Sequence, residues 1–311
     1  MQEAQTPELP DLAVVVDALH LALAGRRIVD AQAPGFAVLR GTPAELVALA
    51  GQQILGGGRR GKLVLIELSM DQVVIAPMLT GRLALADSLP APGMTAAGAR
   101  RGGRPASRGP RHEVSFELSP RSGPPADAAA WCASATWLPP DDAAIFLAYS
   151  DPSHMGKVYL LPAGANRRIP GLVPPERGPD VDDPALDLEA WRERIRPHKG
   201  ELKPLLRNQA FVAGIGNAYS DEILFRARLS PLRRRATLAP EEVDELYSAA
   251  RDVITEAIEV LRKRVPPTFD KQVRDFLAVH RRGGEPCPRC GSRLTEIGRS
   301  EVTTYCRSCQ R

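Results

Sequence analysis

Four cysteines near the C-terminal end carry the most specific chemistry in the chain. Cys287 and Cys290 stand in "CPRC" and Cys306 and Cys309 in "CRSC", with fifteen residues between the pairs. Thiolates two residues apart on a tight knuckle can face one ion, and two knuckles joined by a β-hairpin complete a tetrahedral sulfur shell that suits zinc. The fifth cysteine, Cys132, stands alone, so a disulfide framework would leave an odd thiol. Four sulfur ligands leave no open coordination position. One structural Zn2+ is therefore expected, folding the hairpin and taking no part in a reaction.

A second stretch, "FVAGIGNAYSDEILFRARLSP" at 211 to 231, sets a glycine-rich turn in front of a helical pattern. Such a turn lets backbone approach a ligand closely, and the free amides at a helix start favour an anion, phosphate above all. Lys203 precedes the turn, while Arg226, Arg228 and "RRR" at 233 to 235 follow it. From His198 onward there are 21 Lys and Arg against 15 Asp and Glu, so this part of the chain is basic. The combination points to a nucleic-acid backbone.

The elements that must position these groups divide by composition. "LAVVVDALHLALAG" from Leu12 to Gly25 has helical spacing and closes on glycine. "RRIVDAQA", "FAVLRG", "KLVLIELS", "QVVIAPML" and "HEVSFELS" are short, β-branched and partly alternating, as strands of a sandwich are. Residues 87 to 111 are rich in Arg, Gly and Pro without periodicity and read as a flexible surface insertion. A Pro- and Asp-rich stretch over 166 to 189 reads as a linker. Beyond it "LEAWRERIRPHKGELKPLLRNQ", "AYSDEILFRARL" and "APEEVDELYSAARDVITEAIEVLRKR" carry helical periodicity. The expected organisation is α+β: a β-sandwich domain with an N-terminal helix over 1 to 165, a helical domain over 190 to 282, and a finger over 283 to 311. No stretch of about 18 apolar residues and no secretory signal is present, so a soluble cytoplasmic protein with no membrane partner is expected.

"PELPDL", "RRGKLVLIEL" at 59 to 68, "KPLL" with "GIGNAYSDEILFRARLSP", and "GEPCPRCG…TTYCRSCQR" occur in this order along nearly the whole chain. In these motifs the chain resembles the formamidopyrimidine-DNA glycosylase and endonuclease VIII family. The resemblance implies a β-sandwich and a helix-two-turn-helix domain with a zinc finger, acting as a monomer without a small-molecule cofactor. It also implies that the protein grips damaged or abasic duplex DNA, extrudes and excises a base, and nicks the strand by β-elimination. By the same resemblance, Pro7 matches the amine that attacks the sugar, Glu8 the proton-transferring acid and Lys62 the catalytic-site lysine. Lys203 and Asn217 match the phosphate-gripping pair, Leu79 the wedge, and His154 and Met155 the residues that fill the vacated stack.

Two departures matter chemically. Pro7 follows Thr6, so its nitrogen is a tertiary amide with no basic lone pair and cannot form a Schiff base. Cleavage before Pro7, or another amine such as Lys62, would supply the nucleophile. The finger position at which the family carries a phosphate-binding arginine is Glu301; Arg299, two residues earlier and expected on the same strand face, is the available substitute. Two function classes follow: a base-excision glycosylase and abasic-site lyase, or a non-catalytic binder of damaged or distorted duplex. A zinc ribbon that contacts protein or RNA is a third, should duplex binding be absent.

Overall fold

The computed structural model describes residues 6–35, 37–88, 113–121, 138–164, 169–172, 177–265, 272–299 and 301–311. Most of the arginine-rich insertion, Cys132 and residues 268–271 of the "TFDKQVRDF" segment lie outside that set.

The helix at the start, α1, runs Leu9–Leu23, three residues earlier than periodicity alone suggests. Asp11 extends it: its carboxylate accepts the Glu8 backbone N–H at 2.7 Å and closes the first turn. Nine strands then build two sheets. One has the order β1 (Ile28–Gln32), β7 (Val114–Leu118), β8 (Ile145–Ser150) and β6 (Arg82–Ala86). The other has the order β2 (Leu39–Arg40), β9 (Lys157–Leu161), β5 (Gln72–Ala76), β4 (Leu63–Leu68) and β3 (Ile54–Arg60). A short helix, α2 (Pro43–Val47), lies between β2 and β3.

Alternation explains the layers. Val64, Ile66 and Leu68 of β4 point into the core shared with Val73 and Ile75 of β5 and with Phe116 and Leu147 of the other sheet. The opposite face, Leu63 and Leu65, packs with Val74 and Ile169 in a small outer cluster. Both faces of β4 are covered, which is why its sequence is almost continuously apolar. Strand β3, "ILGGGRR", lacks side chains that would announce a strand. Its glycines are there because α1 lies against them: a Cβ on Gly56 would stand 2.7 Å from His20 Nδ1.

The helical domain contains α3 (Leu188–Ile195), α4 (Leu202–Leu206), α5 (Asn217–Arg226) and α6 (Pro240–Arg262). The single helical stretch expected over 188 to 209 is broken at residues 196–201, where Pro197 and Gly200 cannot sustain it. A second core of Trp191, Leu206, Phe211, Ile223, Leu246 and Ile254 fills this domain, and Leu9 belongs to it. The rest of α1 packs in the sandwich core, as do Leu261 and Val265 from the end of α6. Helix α1 therefore spans both cores.

The segment expected to be a linker is pinned where it is described. Arg59 pairs with Asp180 and Asp182 at 2.8 and 2.7 Å, Arg177 also pairs with Asp180, and the Gly61 amide donates to Asp180 at 2.8 Å. These contacts fix the β3–β4 turn, and Lys62 within it, against the helical domain. Strands β10 (Thr295–Ile297) and β11 (Thr303–Tyr305) form the finger hairpin.

The two domains also meet at Leu9 and Gly214, where the Leu9 amide donates to the Gly214 carbonyl at 2.9 Å. Gly214 has φ of +98°, and an added Cβ would lie 2.7 Å from Leu9 Cβ. Gly214→Ala is expected to cost about 2–4 kcal/mol of unfolding free energy through backbone strain and overpacking, read as a lower urea midpoint.

Candidate active site and nucleic-acid interface

The amides in front of α5 hold an anion, and it belongs to the protein. Glu8, 3% exposed, accepts from Gly216 N at 2.5 Å, Ala218 N at 2.8 Å and Tyr219 N at 3.3 Å. This corrects the expectation of a phosphate there: the N-terminal segment delivers a carboxylate to the helix start, where exposed donors and the helix dipole favour negative charge. Gly216 is glycine because a Cβ would meet the Glu8 carboxyl, at 2.8 Å from Oε1. The glycine-rich turn is thus a socket for residues 8 and 9.

Around Glu8 the sequence-expected catalytic residues converge. Pro7 is buried and forms part of the wall of a small open recess, with Leu12, Val15, Leu83, Val265 and Gln272. Lys62, in the β3–β4 turn, lies in the field of Glu8 and Asp11 but makes no hydrogen bond or ion pair with a described residue. Burial pushes its amine below the ordinary lysine range, and nearby Arg207 and Arg274 act in the same direction against the two carboxylates. Asp11 is clamped by both guanidinium nitrogens of Arg274, which also donates to Tyr219 Oη at 3.1 Å. Arg274, from the "TFDKQVRDF" segment, was invisible as a site residue in sequence. An arginine in a loop carries no signal until its carboxylate partner is known.

Lys203 and Asn217 also come together, on the finger. Lys203, 4% exposed, donates to Asp221 Oδ1 at 2.6 Å and to Val302 O at 2.9 Å. Asn217 Nδ2 donates to the same carbonyl at 3.0 Å, while its Oδ1 is buried without a partner. Asp221 further receives Thr304 N at 3.2 Å and faces His280 Nδ1 at 2.8 Å. Burial lowers the Lys203 pKa, and the Asp221 carboxylate opposes the shift. Sequence reading missed Asp221, because a carboxylate inside a helical pattern looks like a solvated face.

The finger follows its four cysteines. Their Sγ atoms lie within 4.8 Å of one another, with Cys287 and Cys309 at 3.9 Å and Cys290 and Cys306 at 3.6 Å. A zinc–sulfur bond of about 2.3 Å gives tetrahedral edges of about 3.8 Å, so the shell fits the ion. Phe225 of α5, Val279 and Leu294 pack with Cys287 and Cys306, and the Arg289 guanidinium stacks 4.3 Å from the Phe225 ring centroid. Arg299 and Glu301 lie in the hairpin tip between β10 and β11, not on a common strand face as expected. The tip turns at Gly298, φ +90°, so strand alternation does not apply there.

The wedge candidates occupy two loops joined through Asp151. This fully buried carboxylate accepts from Thr80, from Ser153 N at 3.1 Å and from Gly156 N at 2.6 Å. Burial would raise its pKa, but these hydrogen bonds outweigh it and hold the group below the ordinary carboxylate range. Met155 is 49% exposed; His154 has φ of +53° and stands 3.5 Å from Glu113. Leu79 is half-buried, whereas its neighbour Met78, φ +49°, is 44% exposed and is the more prominent apolar tip.

Comparison with known proteins places this arrangement. Residues 6–122 match the formamidopyrimidine-DNA glycosylase N-terminal domain, 177–266 the formamidopyrimidine-DNA glycosylase H2TH domain, and 284–311 the zinc finger found in FPG and IleRS. The formamidopyrimidine-DNA glycosylase of Pelotomaculum thermopropionicum is 31% identical over 317 residues, covering 98% of this chain and 99% of that protein. The chain belongs to the formamidopyrimidine-DNA glycosylase family. Thermomicrobium roseum has another relative, also 31% identical over 317 residues, with 98% and 99% covered. The crystal structure of MutM (Fpg) from Thermus thermophilus superposes with a TM-score of 0.73 at 27% identity, covering 98% of each chain. The Lactococcus lactis enzyme, solved on DNA containing an abasic site, shares the fold at TM-score 0.73 and 23% identity over 98% of this chain and 99% of that one. As a formamidopyrimidine-DNA glycosylase family member, the protein carries one structural zinc on Cys287, Cys290, Cys306 and Cys309.

Chelation of that zinc is expected to lower the thermal midpoint of the whole helical domain, because Phe225 and Asp221 are shared between finger and α5; calorimetry with and without EDTA reads the change. Lys62 has a folded-state pKa below its unfolded value, so its burial penalty is complete below the folded pKa and is relieved as pH rises toward the unfolded value. Lys62→Met is therefore expected to be more stable than the wild type at pH 7, and to lose that advantage as pH approaches the ordinary lysine range, in paired denaturant titrations.

Proposed function

We propose that the protein is a base-excision DNA glycosylase with abasic-site lyase activity, acting on damaged or abasic duplex DNA, and that Lys62 is its imine-forming amine while Thr6 precedes Pro7. The observation that carries this reading is the Lys62 amine, which burial inclines to lose its proton and which has no hydrogen-bond or ion-pair partner among the described residues, near a Glu8 carboxylate locked on the α5 amides. A neutral lysine is a nucleophile, and burial favours the neutral form. Pro7 cannot serve as it stands, since its nitrogen is acylated.

The chemistry follows from these placements. Lys62 Nζ attacks C1′ of the extruded nucleotide, and the base departs with the glycosidic electron pair and takes up a proton. The C1′–O4′ bond then breaks with its electron pair going to O4′, which takes up the second amine proton, and C1′ is left as an imine of Lys62. Removal of a C2′ proton then expels the 3′ phosphate, which is β-elimination. Glu8 is the carboxylate placed to move these protons. Met78, Leu79 and Met155 are the apolar tips available to fill the vacated stack, and Lys203 and Asn217 are assigned to the strand backbone on the family pattern.

A non-catalytic binder is the second reading, and the acylated Pro7 nitrogen favours it. Borohydride trapping on a duplex with an abasic site separates the possibilities. The wild-type chain is expected to be captured covalently and Lys62→Ala to lose capture while still binding. Capture that survives Lys62→Ala and grows when the chain is made to begin at Pro7 assigns the chemistry to Pro7 after removal of the preceding residues. Binding without capture by any of these leaves the binder.

A further inference from the structure

Where α4, the β3–β4 turn and the finger meet, Arg207 lies within electrostatic reach of both Lys62 and Lys203. Lys203 is consumed by Asp221 and the Val302 carbonyl, and Lys62 is given to chemistry. Arg207, at the C-terminal end of α4, is different. Its fork closes on Glu301 of the finger tip, Nη1 to Oε2 at 2.9 Å and Nη2 to Oε1 at 2.6 Å. Both side chains are open to solvent, Arg207 at 30% and Glu301 at 65%. Arg207 is also within electrostatic reach of Lys62 and Glu8. A bidentate guanidinium at the lip of the catalytic pair has the geometry that recognises one phosphate group.

The finger position that would carry a cation holds Glu301 instead, and the cation stands across from it on α4. We propose that Arg207 is the clamp for the DNA phosphate beside the lesion, and that Glu301 occupies its fork until that phosphate displaces it. Lys203 and Asn217 end on a backbone carbonyl of the finger, Val302 O, but Glu301 offers a full carboxylate with the charge and two-oxygen geometry of a phosphate edge. A solvent-exposed ion pair is weak and salt-screened, so a DNA phosphate, which arrives with many other contacts, exchanges for it readily. Release of Glu301 also frees the hairpin tip, which carries Arg299, to follow the strand.

This inference rests on the duplex-binding reading above and is tested within it. The probe is a short duplex bearing a tetrahydrofuran abasic analogue, with affinity measured over a range of salt concentrations. Arg207→Ala is expected to bind about tenfold more weakly at moderate salt and to shallow the plot of log affinity against log salt by about 0.9, one phosphate contact. Glu301→Ala is expected to tighten binding several-fold, and that gain is expected to vanish in the Arg207→Ala background, since no fork remains to be freed. An unchanged salt slope in Arg207→Ala, with the wild type binding, overturns the clamp alone. A Glu301→Ala gain that persists in full without Arg207 overturns the latch, because Glu301 then acts only as a repelling charge. If the wild-type chain fails to bind the duplex at all, the functional reading falls and this inference with it. Zinc content and circular dichroism of each variant establish that the exposed substitutions leave the fold intact.

Discussion

The grip of one carboxylate on three backbone amides organises this molecule. Glu8 enters from the first residues of the sandwich domain and closes the open end of a helix more than two hundred residues away. Hydrogen bonds to a charged acceptor are the stronger kind, and this one is shielded from water on all sides. The contact does two things together. It docks the sandwich on the helical domain, with Leu9 following into the second core, and it fixes a carboxylate beside the recess that Pro7 lines. Anything that misplaced the glycine socket would therefore disturb the docking of the two domains and the position of that carboxylate alike.

The middle of α5 shows the same economy with two more carboxylates. Asp221 and Glu222, adjacent in sequence and both nearly inaccessible, tie the helix to the finger and to the segment before it. Asp221 collects Lys203, Thr304 and His280; Glu222 collects the amides of Ala278, Val279 and His280. Burial raises the Glu222 pKa and the three amides pull against it. Unpaired, two such carboxylates would cost several kcal/mol each. Satisfied, they turn a small zinc hairpin with almost no apolar core into a rigid extension of α5. The metal shapes the hairpin and the carboxylates aim it.

These two junctions also bear on the order of events in recognition. Lys203 and Asn217, the residues the family pattern assigns to phosphate, both donate to the finger backbone. Arg207 spends its fork on Glu301. The cations of this face are thus paired within the protein, with acceptors of graded exposure. The exposed carboxylate is the easiest to exchange, and the shared carbonyl, buried beside Asp221, the hardest.

How much of this was legible beforehand depends on the range of the interaction. Sequence spacing alone was enough for the zinc shell, because ligands two residues apart on a knuckle are constrained by local geometry. The strands with β-branched alternation, the long α6 and the glycine turn were readable for the same reason, and motif order led to Pro7, Glu8, Lys62, Lys203 and Asn217 as residues to watch. Strand β3 escaped, since three glycines advertise nothing until α1 is laid across them. What the turn at 214 to 217 binds was misread as phosphate: a helix start announces that an anion is wanted, and only the fold reveals that Glu8 arrives to supply it. Arg207, Asp221 and Arg274 were equally silent. Their partners Glu301, Thr304 and Asp11 lie 94, 83 and 263 residues away, and a charge carries no record in its own neighbourhood of the opposite charge that tertiary folding will bring to it.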